Sequence, residues 1–93
     1  MYNLTHVEGK DKGKIVLYGL TTCAWCKKTK ALLDELGVDY YYVFLDSLSQ
    51  PDKEMAVDDV NIWNPMCSFP TLVLKDSKCI IGFKEEEIKQ ELG

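Results

Sequence analysis

The spacing of apolar residues along this chain changes several times, and each change marks an element. Ile15-Val16-Leu17-Tyr18 is an unbroken apolar run, so residues 14–18 read as a short buried strand. Gly19 to Thr22 turn the chain. From Cys23 the period lengthens. Trp25, Thr29, Leu32 and Leu36 fall on one face of a helix, with Lys27, Lys28, Asp34 and Glu35 largely off it, and Gly37 is a natural stop. Tyr40 to Leu45 is dense in aromatic and branched residues and reads as a second strand. Ser49 to Asp52 supplies a serine cap, a proline in the first turn and an acid, which predicts a helix running to about Asn64, before Pro65. Pro70 to Leu74 is a third strand, joined by Lys75-Asp76-Ser77 to a fourth at Lys78 to Ile81. Gly82 breaks the pattern. Lys84 to Leu92 forms a closing helix with Glu85, Glu86 and Glu87 at its electropositive start.

The polar stretch Glu8 to Lys14 holds Gly9 and Gly13 and reads as a turn or flexible loop. Residues 1–13 are therefore a tail or a short edge strand pairing with the next element, and residues 14–93 are the domain. The order β-α-β-α-β-β-α requires a parallel pair across the first helix and an antiparallel hairpin at the end. The expected architecture is α/β, a four-stranded mixed sheet with helices on both faces.

A length of 93 residues holds one domain, and 46% hydrophobic with 28% charged residues is a globular balance rather than a disordered one. Fifteen acidic against 11 basic residues, a net charge of -4, argues against nucleic acid as a partner. The longest apolar run, Ile15 to Leu20, is far too short to span a bilayer, so no membrane is expected as a partner. The N-terminus has no basic-then-apolar leader, which predicts a cytoplasmic protein. Four cysteines in a reducing compartment do not make a structural disulfide framework, so they are redox-active, metal-binding or buried.

The chemistry concentrates at Thr21-Thr22-Cys23-Ala24-Trp25-Cys26-Lys27-Lys28, between a strand and a helix. A Cys23 thiolate at the helix tip would accept unpaired backbone N–H groups and sit at the positive end of the dipole, with Lys27 and Lys28 adding charge nearby. All three favour the thiolate, which is the nucleophile of disulfide exchange. The spacing brings Cys26 round one turn, deeper and less exposed, where it can resolve a mixed disulfide. The competing reading is half of a zinc site. Zinc wants a second pair of ligands, whereas Cys67 and Cys79 are not so spaced and His6 is the lone histidine. No bound metal is expected.

Cys67 is an extra thiol near the site or, with greater weight, a partly buried small residue; Cys79 reads as core. Trp25 shapes the substrate surface, anchors the helix, or both, while Trp63 reads as packing. Tyr40, Tyr41 and Tyr42 must alternate between faces, and His6 reads as a surface residue without a partner nearby in sequence. Lys27 is expected nearest the thiolate, with Lys28 and Lys30 facing solvent. Phe69-Pro70-Thr71 opens a strand, and from the residues alone the Phe69–Pro70 bond is trans, as most are.

Three motifs in order, Thr22-Cys23-Ala24-Trp25-Cys26, Phe69-Pro70-Thr71 and Gly82, resemble the glutaredoxin family over about residues 14–92. The resemblance implies a thioredoxin-like fold, a cis Phe69–Pro70 bond, Cys23 as nucleophile and Cys26 as resolving thiol. The expected substrate-facing residues are Thr22, Ala24, Trp25 and Lys27 at the helix tip, with Phe69, Pro70 and Thr71 in the later loop. Gly82 and Phe83 complete them. Two departures bear on the reductant. Leu20 stands where a cation would hold a glutathione carboxylate, and Gly82-Phe83-Lys84-Glu85 replaces a glycine pair followed by a small polar residue and an acid. The Gly82-Phe83-Lys84 segment is similar to glutaredoxin-like redoxins that serve ribonucleotide reductase and are reduced by a flavin-dependent reductase.

The implied function is a dithiol protein disulfide oxidoreductase carrying electrons between a reductant and protein disulfides; an iron–sulfur or metal carrier is the alternative. The reductant expected is thioredoxin-type, ferredoxin-linked or glutathione-based. The protein is expected to act as a monomer with no cofactor, glutathione entering only as reductant.

Overall fold

Strands form where β-branched and aromatic residues run together, and the computed structural model, which describes residues 2–93, places five of them in one sheet. They are β1 (Thr5–Val7), β2 (Ile15–Gly19), β3 (Tyr40–Phe44), β4 (Thr71–Leu74) and β5 (Lys78–Ile81), in the spatial order β1-β3-β2-β4-β5. The helices are α1 (Ala24–Leu36), α2 (Asp52–Trp63) and α3 (Glu85–Leu92). β2 and β3 are parallel, as the crossover through α1 requires, and β4 is antiparallel to both β2 and β5. The mixed α/β sheet stands as expected, with one strand more than the four predicted.

The additional strand is β1, which pairs antiparallel with β3, Thr5 opposite Tyr42 and Val7 opposite Tyr40, and not with the next element in sequence. Sequence order favours the neighbour, but the free edge of β2 is taken by β4, leaving β3 to accept it. The segment after it is no loose loop: Lys10 donates its N–H to Gly37 O at 2.9 Å, and its carbonyl accepts Asp39 N–H at 2.9 Å. His6 finds partners too, meeting Asp39 Oδ1 at 2.8 Å and stacking on Tyr41. Of the expected tail, Met1 lies outside the described residues.

β2 and β4 are buried along their whole length and form the floor between two cores. On one face, Ile15, Leu17, Leu72 and Ile80 meet Leu32 and Leu33 of α1 and Ile88 and Leu92 of α3. On the other, Val16, Tyr18 and Val73 meet Ala56 and Val60 of α2. Burying such side chains is worth about 1.5–3 kcal/mol each. The helical stripe is rotated from the one predicted. Cys26, Thr29, Leu32 and Leu33 form the buried face of α1, and Trp25 is left 56% exposed. Helix α2 starts at Asp52, without a side-chain cap from Ser49. Cys79 is half-buried, and its Sγ lies 3.3 Å from Trp63 O. Among the described residues no helix is long and apolar enough to cross a membrane.

Three buried or half-buried acids are held in their protonated form. Burial first, then the Asp34 hydrogen bond, pushes the Tyr40 phenol well above its ordinary value; burial and Asp59 do the same for Tyr2. Burial also pushes up Cys26. Raised folded values mean that the unfolded chain ionises first, so their contribution to stability is complete below about pH 8.5 and is lost as pH rises. Urea unfolding between pH 7 and 11 should show a midpoint that is flat to about pH 8.5 and falls steadily above it.

Candidate active site

Cys23 stands at the junction of β2 and α1 because the helix begins one residue later. Its backbone is extended (φ -94°, ψ 111°), and its Sγ caps the helix by accepting Cys26 N–H at 3.2 Å. Cys23 N–H donates to Leu20 O at 3.1 Å, and Cys23 O accepts Lys27 N–H at 3.2 Å, so the residue is fixed on both sides. The sulfur is half-buried and lies 4.0 Å from the Phe69 carbonyl oxygen.

Cys26 lies one turn further in and has no exposed surface. Desolvation, and after it the hydrogen bond with Cys23, pushes its thiol up to about 12, with a backbone hydrogen bond from Leu20 offsetting part of the shift. At neutral pH Cys26 is therefore a protonated, inaccessible thiol. Gly19 makes room for it. A Cβ at Gly19 would lie 3.0 Å from Cys26 Cβ and 3.2 Å from its Sγ, closer than most packed atoms sit. The sequence marks Gly19 only as a turn residue; it is in fact the last residue of β2.

The second part of the site is the loop between α2 and β4. The Phe69–Pro70 bond is cis, the alternative that the family resemblance implied. Gly82, at φ 85° where a side chain would be strained, donates its N–H to Pro70 O at 2.9 Å and so ties the end of β5 to this loop. Trp25, Phe69, Pro70, Gly82 and Phe83 then line one groove of about 260 Å³ beside the cysteine pair. Trp25 stacks on Phe83 with ring centroids 5.8 Å apart, and Lys28 Nζ sits 4.6 Å from the Trp25 ring.

The other expected residues fall in different places. Thr22, Ala24 and Lys27 are exposed at the helix tip. The Lys27 side chain makes no hydrogen bond or ion pair among the described residues, whereas Lys28 Nζ lies over the Trp25 ring and Lys30 Nζ over the Tyr42 ring. Thr71 is wholly buried, and its hydroxyl donates to Ser68 O at 2.8 Å, so its side chain braces the loop from inside. Leu20 packs into the α2-side core. Cys67 is half-buried with φ 50°, packed against the same core.

Two contributors carry no sequence signal. Asn64, read only as a helix end, is 1% exposed, and its Nδ2 donates to Ser68 O and Ser68 Oγ at 3.0 Å and to Thr71 Oγ1 at 3.1 Å. Its Oδ1 accepts Met66 N–H at 3.2 Å, so one amide organises the whole loop that carries Phe69 and Pro70. Asp46, just beyond β3, accepts Thr21 N–H at 2.9 Å and the Thr21 hydroxyl. Those bonds hold its carboxyl below the usual carboxylate range.

Comparisons with known proteins show the family of this chain. The glutaredoxin family model matches residues 15–80, well over half of the chain. A glutaredoxin 1 from Rickettsia prowazekii (strain Madrid E) is 42% identical over 43 residues, covering 46% of this chain and 45% of that protein. The match thus spans just under half of that curated relative's length. The glutaredoxin structure from Methanosarcina mazei Go1 is 53% identical, superposes with a TM-score of 0.89, and covers 97% of this chain and 87% of that one. The methanoredoxin structure from Methanosarcina acetivorans is 56% identical with a TM-score of 0.89, covering 91% of this chain and 90% of that one. With its cysteine pair at a helix tip, its proline loop beside it and the family match across the sheet, the chain belongs to the glutaredoxin family.

Proposed function

We propose that this protein reduces protein disulfides by cycling Cys23 and Cys26 between dithiol and disulfide. The observation that carries the reading is the pairing itself: an accessible sulfur at a helix N-terminus, with a fully buried, protonated thiol one turn behind it. The Cys23 thiolate attacks one sulfur of the substrate disulfide. That S–S bond breaks, a mixed disulfide forms, and the departing substrate sulfur takes up a proton. Cys26 then gives up its proton and attacks Cys23 Sγ, releasing the second substrate thiol. The substrate gains two electrons and two protons, and the protein holds a Cys23–Cys26 disulfide until a reductant returns them.

The reductant is the finer question. The groove is lined by aromatic, proline and glycine residues, Leu20 is packed into the core, and the Gly82 N–H is already committed to Pro70 O. An anionic tripeptide finds little there to hold its carboxylates. These features favour a polypeptide disulfide as substrate and a reductase, thioredoxin-type or ferredoxin-linked, over glutathione as electron source. In this reading the protein acts as a cytoplasmic monomer with no bound cofactor. An iron–sulfur carrier would instead show cluster absorbance as purified under anaerobic conditions.

Cys26→Ser tests the division of labour. The variant mixed with a disulfide-bonded peptide should trap a Cys23–peptide adduct, visible as one added peptide mass, while the wild type releases both peptide thiols. An adduct on Cys67 or Cys79, or none at all, contradicts the assignment.

A further inference from the structure

The second step of this reaction is intramolecular. Its rate depends on the placement of Cys23 Sγ relative to Cys26 Sγ while a substrate pulls on Cys23. Cys26 is immobilised by its burial against Gly19. Cys23 is anchored on its helical side by the first turn. On its other side runs the short connection Leu20-Thr21-Thr22, whose two threonines are exposed to solvent. Leu20 is anchored in the α2-side core, and the exposed Thr21 is held by the Asp46 carboxylate, which takes both donors of Thr21 on its two oxygens. Asp46 reaches across from the end of β3, the strand parallel to β2, so the clamp joins the nucleophile's loop to the rigid sheet.

We propose that Asp46 is a positioning residue for the resolving step, holding Thr21 so that Cys23 stays within reach of Cys26 once the mixed disulfide has formed. The inference rests on the dithiol cycle proposed above. Attack by Cys23 on an outside disulfide needs only an accessible sulfur, so it tolerates a looser loop. Resolution does not tolerate it, because a misplacement of about 1 Å in such a step can cost up to ~100-fold. The Asp46 charge acts in the opposite sense. A negative charge opposes ionisation of Cys26, so a purely electrostatic role would slow resolution in the wild type and speed it on removal. Geometry and charge therefore predict opposite signs, which makes the proposal decidable.

The test uses Asp46→Ala, Thr21→Val and Thr21→Ser with a disulfide-bonded peptide, in quenched single-turnover reactions read by mass spectrometry. Thr21→Val removes the hydroxyl donor and leaves the charge in place; Thr21→Ser restores the donor. Formation of the Cys23–peptide adduct should keep its wild-type rate in all three. Its decay should slow about 10-fold in Asp46→Ala and severalfold in Thr21→Val, and return to the wild-type rate in Thr21→Ser. Decay that is unchanged or faster in Asp46→Ala overturns the proposal, as does equal slowing of both steps, which would mark a general loss of structure. Cys26→Ser, run alongside, separates failure of the dithiol cycle from failure of the role given to Asp46. If its adduct decays as fast as that of the wild type, the dithiol cycle itself is wrong, whereas a permanent adduct there with normal decay in Asp46→Ala removes only the role given to Asp46.

Discussion

Cys23→Ser should abolish disulfide reduction, with kcat/KM falling by at least about 1000-fold, while the melting temperature stays within a few degrees of wild type. The serine hydroxyl is still able to accept Cys26 N–H and cap α1, so the fold keeps its helix start. What is lost is the nucleophile, since a neutral hydroxyl does not attack a disulfide sulfur at pH 7 and no other described cysteine stands at a helix tip. Cys67 and Cys79 are both half-buried in the α2-side core, and Cys26 is covered completely. Reduction of a disulfide-bonded peptide, followed by its free thiols, measures the loss; substantial residual activity would mean that another sulfur does the work.

Asn64→Leu should be the most destabilising single change in the site. The leucine fills the volume but removes the two amide donors from Ser68 and Thr71 and the acceptor for Met66 N–H, in a place with 1% exposure. Leaving buried polar partners unmet costs about 1–3 kcal/mol for each group, and Thr71 keeps its own bond to Ser68 O, so a net cost of about 2–3 kcal/mol is expected. For a domain of this size that lowers the melting temperature by roughly 10–20 °C. Because the same amide shapes the loop that carries Phe69 and Pro70, peptide reduction measured well below the melting point should also fall, about 5- to 10-fold. A melting temperature and activity both near wild type would show that the loop holds itself without Asn64.

Local pattern carries far in this chain. The apolar run of β2, the glycine stop after α1 and the hairpin β4–β5 each follow from residues adjacent in sequence, and the structure holds all three within a residue or so. Cys23 and Cys26 were legible for the same reason: strand, turn and helix periodicity place the first at the tip and the second inside. Long-range contacts were not legible. Trp25 matches a helical stripe by spacing alone, but its partner is Phe83, 58 positions later by subtraction, and that contact turns it outward beside the groove. β1 was ambiguous because three residues with one half-buried side chain say nothing about which strand edge is free. Asp46 and Asn64 look like ordinary polar residues at element ends; only the folded chain brings the first to Thr21 and closes the second inside a loop.

In the proposed cycle Cys23 and Cys26 act as one two-electron couple. The direct test is alkylation and mass spectrometry of all four cysteines after equilibration across dithiothreitol and glutathione redox buffers. Cys23 and Cys26 should become protected from alkylation together, at one midpoint, with a loss of two hydrogens in mass and no lasting glutathione adduct, while Cys67 and Cys79 do not join that transition. Cys23 accumulating alone as a glutathione mixed disulfide, or neither cysteine responding to the buffer, would contradict the cycle.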